Sequence, residues 1–153
     1  MRPLLAIDLG AAPALAAVIG TERSPVLLEV RRFPRWDTEQ ITRAIAEIME
    51  RRGIREVYVE QTFTWRQRRR RYLADVGRQQ EAQAGFLEGW LFGRGELRRV
   101  APCQAEDGYA AWDVFGRPEE GKGSGGEHVR DALATALKGL IAQEAAGKEE
   151  ASG

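Results

Sequence analysis

Asp8, Glu60, His128 and Asp131 are the side chains of this 153-residue chain whose types and settings suit divalent metal ions. Asp8 ends the apolar run Leu4 to Ile7 and precedes Leu9-Gly10. A carboxylate at the end of a buried strand is costly unless it is paired or ligates a cation. Glu60 ends Val57-Tyr58-Val59 in the same way. His128 and Asp131, spaced i and i+3, share one face of a helix that starts after a Gly-rich run. Three carboxylates and an imidazole form a hard donor set that suits Mg²⁺ or Mn²⁺. One Cys and one His do not supply the ligands of a structural zinc site. Two such ions about 4 Å apart activate a water and stabilise the leaving oxygen in phosphodiester hydrolysis. Each residue alone has a plainer role. Asp8 suits a turn before Gly10, Glu60 a solvated strand end, His128 a helix surface, and Asp131 a helix N-terminal dipole. The metal reading rests on the four together.

The elements that must position them follow from hydrophobic periodicity. Leu4–Ile7, Pro13–Ile19 and Pro25–Val30 read as three short strands joined by tight turns, an antiparallel meander. Asp37 or Thr38 caps a helix whose apolar positions are Ile41, Ala44, Ile45, Ile48 and Met49, and Gly53 stops it. Ile54–Glu60 alternates as a fourth strand, parallel to an earlier one after the crossover helix. Tyr72–Phe92 reads as a long helix with Leu73, Val76, Gln80, Ala84, Leu87 and Leu91 along one side, and Leu97–Ala101 as a short strand. Gln104–Gly126 shows little periodicity and reads as a functional or mobile loop. Glu127–Glu144 reads as an amphipathic helix with Val129, Leu133, Ala136, Leu137, Leu140 and Ile141 toward a core. The expected architecture is α/β, a five-stranded mixed sheet flanked by helices. Its first three strands are antiparallel, and the fourth and fifth run parallel to the first. Residues 1–146 form one domain and 147–153 a disordered tail. If strands one and four are neighbours, Asp8 and Glu60 stand side by side at their C-terminal ends, where open α/β sheets place their sites.

Bulk properties narrow the class. The single cysteine, Cys103, excludes an internal disulfide and fits a reducing cytoplasm, with a buried thiol as its expected state. No run reaches the roughly 18 uncharged apolar residues of a membrane helix. Asp8 interrupts the apolar N-terminal run in a way unsuited to a signal peptide. Net charge is zero, yet residues 61–103 carry nine basic against four acidic groups, while 104–153 carry five against ten. The middle of the chain is therefore basic and its end acidic, and the distribution outweighs the sum for a polyanion partner. Basic residues are 20 Arg to 3 Lys. That bias suits phosphate contacts, and a GC-rich genome gives it equally.

At this point the chain resembles a known family. "LLAIDLG" is similar to the first strand of the RuvC Holliday junction resolvases, "VYVEQTF" to their second motif, and "HVRDALATAL" to their terminal helix. The resemblance runs through nearly the whole chain in order and spacing. It implies an RNase H-like fold and a structure-selective endonuclease that hydrolyses four-way DNA junctions with two Mg²⁺ or Mn²⁺ ions per site. It also implies a homodimer making paired symmetric nicks, in the cytoplasm of a bacterial or phage-infected cell. By position it makes Asp8, Glu60, His128 and Asp131 both metal-binding and catalytic, and sets Phe63 at the family's junction-stacking aromatic. His128 stands where some members have Asp and others His. Leu9 stands where bacterial members usually have Pro, Lys122 is the one plausible lysine near the site, and 104–126 aligns poorly. These departures suggest a divergent or phage-type member. Alternatives are the same fold acting on other branched DNA or RNA, or a non-catalytic junction-binding module.

The segment after Glu60 carries Phe63, Trp65, Arg66, Arg68, Arg69, Arg70 and Arg71. Five Arg in six residues set a positive field beside the site and suit phosphate contacts without sequence information. Phe63 and Trp65 suit stacking on unpaired bases. Lys122 joins them as an expected DNA contact. A solvated helix start with two core aromatics is the plainer account of the run, but basic charge at a helix N-terminus opposes the dipole. The small residues and aromatics of Tyr72–Phe92 suit a two-fold dimer interface or core packing equally.

Overall fold

The computed structural model describes residues 1–61 and 71–152, without the side chains of 71–74 and 152. In chain order the elements are β1 (Leu4–Asp8), β2 (Ala14–Gly20), β3 (Pro25–Arg32), α1 (Thr38–Arg52), β4 (Glu56–Glu60), α2 (Arg71–Leu91), β5 (Glu96–Val100), α3 (Ala105–Phe115) and α4 (Gly126–Ser152). The strands form one sheet in the order β3-β2-β1-β4-β5. β1, β2 and β3 pair antiparallel, while β4 lies parallel to both β1 and β5. This is the mixed sheet expected. Ile7 pairs with Val59, so Asp8 and Glu60 leave neighbouring strands at the same level.

Strand alternation sorts the side chains onto two faces. Leu5, Ile7, Val57 and Val59 pack with Ile41, Ile45 and Ile48 of α1 and Leu87 and Leu91 of α2. Leu4, Ala6 and Tyr58 pack with Ala136 and Leu140 of α4. Ala14 and Ala16 pack with Val129 and Leu133 of α4 and Ala111 of α3. Parity therefore turns Asp8, in step with Leu4 and Ala6, and Glu60, in step with Tyr58, toward α4. The first helix forms as its sequence directs: the Asp37 side chain accepts from Gln40 N at 3.0 Å, and the Gly53 amide caps Met49 O.

α4 lies close on the sheet because small residues face each other. A Cβ placed on Gly139 would stand 3.1 Å from both Leu4 Cδ2 and Tyr58 Cγ. Two polar contacts fix the helix further along. Gln143 Nε2 donates to the buried Glu56 at 2.7 Å, and Lys138 Nζ donates to Pro102 O at 2.9 Å. Ile141, expected in the core, is 41% exposed, and Ala132 and Thr135 are buried in the same helix.

One expectation changes. The segment 104–126 is not a plain loop but contains α3 and a 3-10 turn at Glu119–Gly121. Gln104 N donates to Asp107 Oδ2 at 2.6 Å, starting the helix. Its inward stripe is Gly108, Ala111, Trp112 and Phe115, two of them too small to register as apolar periodicity. Residues 147–152 continue α4, with 147–151 exposed.

The close seating of α4 gives a direct test. Gly139→Val should lower stability by about 1–3 kcal/mol in urea unfolding. Gly147→Ala, where nothing stands within 4 Å, should raise it by up to about 1 kcal/mol. Similar effects at the two positions would contradict this packing.

Candidate active site

Asp8 and His128 meet. His128 Nδ1 lies 3.0 Å from Asp8 Oδ2, joining the end of β1 to the first turn of α4. The Asp8 side chain is 13% exposed and that of His128 36%. With its proton on Nδ1, His128 donates to Asp8 and leaves Nε2 on the outer side, 3.9 Å from Glu127 Oε1. Asp8 and Glu60 line one crevice of about 10 Å³ together with Ile7, Leu9 and Gln80. Glu60 Oε1 accepts the backbone N–H of Cys103 at 2.9 Å. Asp131, one turn along α4 from His128, is half-exposed and lies 3.4 Å from Arg130 Nε.

Electrostatics show that these groups feel one another. Burial pushes the Asp8 carboxyl up to about 7, against the hydrogen bond from His128, and the charges of Asp131 and Glu60 raise it further. The hydrogen bond to Asp8 holds the His128 imidazole above its ordinary range. Burial raises the Asp131 carboxyl against the pull of Arg130. Among the described residues, no three of these donors are drawn together tightly enough to cage a cation. Each carboxylate instead turns to a protein partner: Asp8 to His128, Glu60 to Cys103 and Asp131 to Arg130. The donor set still fits a divalent ion. It is oxygen-rich, and the charges of Asp131 and Glu60 raise the proton affinity of Asp8, a repulsion that a cation relieves.

The scaffold around Asp8 contains residues that sequence reasoning misses. Gln83 of α2, 6% exposed, donates from Nε2 to Gly10 O at 3.0 Å and accepts from Gly10 N at 2.8 Å. Gln80 Nε2 reaches Leu9 O at 3.3 Å. These amides clamp the turn after Asp8 and set the carboxylate's direction. Their signal is two Gln at i and i+3: Gln80 already falls on the apolar side of the helix, and Gln83 beside it reads as ordinary surface without a partner in view. Cys103 also acts, through its amide on Glu60, while burial pushes its thiol up, above any reactive range. A cleft of about 390 Å³ lined by Ala12, Arg32, Phe33, Pro34, Gly125 and His128 opens beside the site.

Phe63, Trp65, Arg66, Arg68, Arg69 and Arg70, and the side chain of Arg71, lie outside the described residues. Lys122 is exposed on the segment before α4, with Nζ 2.9 Å from Glu119 Oε2.

The Asp8 environment predicts a pH dependence. A carboxyl whose folded pKa is raised costs no stability below its unfolded value near 4. The cost grows as pH rises toward about 7. In EDTA, Asp8→Asn should therefore be more stable than the parent chain by about 2–4 kcal/mol at pH 8, with the gap closing by pH 4. Urea unfolding at the two pH values checks this; a gap independent of pH would contradict it.

No family model and no curated protein matches the sequence. Solved structures do match. Thermus thermophilus RuvC in complex with a Holliday junction substrate is 18% identical, with a TM-score of 0.66 over 95% of this chain and 97% of that one. Thermus thermophilus RuvC alone is 20% identical, with a TM-score of 0.59 over 94% and 97%. The fowlpox virus Holliday junction resolvase is 14% identical, with a TM-score of 0.60 over 92% and 99%. The chain thus shares the RNase H-like fold of the RuvC-type Holliday junction resolvases.

Proposed function

We propose that this chain is a RuvC-type endonuclease that hydrolyses phosphodiester bonds in four-way DNA junctions, in the cytoplasm of a bacterial or phage-infected cell. The observation that carries the reading is the Asp8–His128 contact at 3.0 Å. It brings two of the four candidate residues, from opposite ends of the chain, to the C-terminal edge of a RuvC-like sheet.

Asp8, Glu60 and Asp131 would hold two Mg²⁺ or Mn²⁺ ions, with His128 at the margin of the set. Bound there, the ions supply an activated water and neutralise charge at the scissile phosphate. The chain's own residues do the rest. Gln83 and Gln80 hold the turn after Asp8, and the Cys103 amide orients Glu60. His128, its Nδ1 facing Asp8, presents Nε2 outward to bind an ion or to pass a proton to the leaving oxygen. Phe63, Trp65, the Arg run 66–71 and Lys122 would contact the junction.

Paired nicks call for two sites and a C2 dimer. The outer side of α2 suits that interface. Phe86 is 44% exposed and Phe92, just past the helix, 89%, and a Cβ on Gly85 or Gly89 would meet nothing within 4 Å. Trp90 is not part of that surface, for it packs against the core with Arg94 4.6 Å above its ring.

A second reading, a module that binds junctions without cutting them, is favoured by the protein partner that each carboxylate already has. A labelled four-way junction with Mn²⁺ or Mg²⁺ separates the two. The nuclease reading expects cutting by the parent chain and a loss on the order of 100-fold or more with Asp8→Asn. Binding in EDTA with no cutting under either metal would establish the second reading, and equal cutting by the variant would sink the first. Flap and RNA–DNA hybrid substrates run alongside test whether another branched or hybrid nucleic acid is preferred.

A further inference from the structure

We propose that Arg32, at the end of β3, is a positioning residue that holds His128 against Asp8. Arg32 reaches into the backbone of the Gly-rich segment before α4. Its Nη1 donates to Glu120 O at 3.0 Å and to Lys122 O at 3.4 Å, and its Nη2 donates to Ser124 O at 2.5 Å. A guanidinium is a rigid fork, so carbonyls gripped from both nitrogens are fixed in orientation as well as in place. The grip ends where α4 begins. Gly125 O accepts the amide of His128 at 3.2 Å.

Two further features mark the contact as built. Ala14 of β2 pairs with Asp8 on one side and with Arg32 on the other, so Asp8, Ala14 and Arg32 form one rung of the sheet. Directly paired residues point to the same face, so both ends of this rung grip the start of α4. Asp8 takes the His128 ring and Arg32 takes the backbone leading to it. Gly125 is also shaped to this partner. Its φ is +82°, and a Cβ there would run into the Arg32 guanidinium. A segment of Gly121, Gly123, Gly125 and Gly126 has high backbone entropy when free. Arg32 is the contact from β3 that selects one conformation of it.

This inference adds a residue to the site proposed above, but its structural arm does not depend on nuclease activity. His128 is the only histidine, so its imidazole NMR signals are unambiguous. In the full-length, metal-free protein, Asp8→Asn should shift those signals, because Asp8 bonds the ring. In an Arg32→Gln background the same Asp8→Asn change should produce little or no shift. Arg32→Lys should behave like Arg32→Gln, since an ammonium keeps the charge but lacks the fork, and it serves if Arg32→Gln fails to fold. An equal Asp8→Asn shift in the parent and the Arg32 variants would overturn the proposal.

Junction cleavage adds a second arm, which rests on the nuclease reading. Arg32→Gln should lower kcat on the order of 100-fold with little change in KM, and should cost nothing more once His128 is Ala. An Arg32 that merely touched phosphate would raise KM and be rescued by Lys, which would also overturn the proposal.

Discussion

The hydrogen bond between Asp8 and His128 spans 120 residues of sequence, and the rest of the site depends on it. A carboxylate at the end of a buried strand needs a partner, and no neighbour on β1 supplies one. The partner comes from the last helix, which must therefore cross the sheet with its N-terminus above the C-terminal ends of β1 and β4. Alanines on β1 and β2, Gly139 on α4 and the Gln143–Glu56 contact all serve that placement. Moving α4 outward by one side chain would leave Asp8 buried without a partner.

Two buried acids show how differently the fold treats charge. Glu56, at the start of β4, accepts from Tyr58 and Gln143 and pairs with Arg2 at 3.1 Å. Its charge is matched by Arg2, and burial, with the Glu56 charge and hydrogen bond adding to it, pushes the Tyr58 hydroxyl up to about 12. Asp8, at the other end of the sheet, has one imidazole against two carboxylates, Asp131 and Glu60, whose charges raise its proton affinity. An unbalanced cluster at a strand edge makes Asp8 a candidate functional residue. The turn clamped by Gln83 and the loop gripped by Arg32 keep it in place without neutralising it.

Much of this was legible in the amino-acid sequence because two periodicities carry it. Strand parity turns Asp8 and Glu60 to one face, and the i, i+3 spacing of His128 and Asp131 puts both on the border of a buried helix. The strand directions followed from three short strands and one crossover helix, whereas the pairing of β1 with β4 was a condition that only the structure supplies. α3 was not legible because its inward stripe begins with Gly108 and Ala111, which bury little apolar surface. Gln80 was placed on the inward side of its helix without a role, and Gln83 and Arg32 were missed, for another reason. Polar side chains read as solvated until the backbone groups they satisfy are placed, and those groups lie 71 to 92 residues away. Backbone donors such as the Cys103 amide have no sequence signature at all.

The nuclease proposed for this edge of the sheet requires Asp8, Glu60, His128 and Asp131 to bind divalent metal. Anomalous diffraction from crystals grown with Mn²⁺ tests it most directly. Two Mn²⁺ ions about 4 Å apart are expected among these side chains, with Glu60 and Asp131 turned from Cys103 and Arg130 toward the ions. Crystals saturated with Mn²⁺ that show no ion there, and the four side chains in their present pairings, would contradict it.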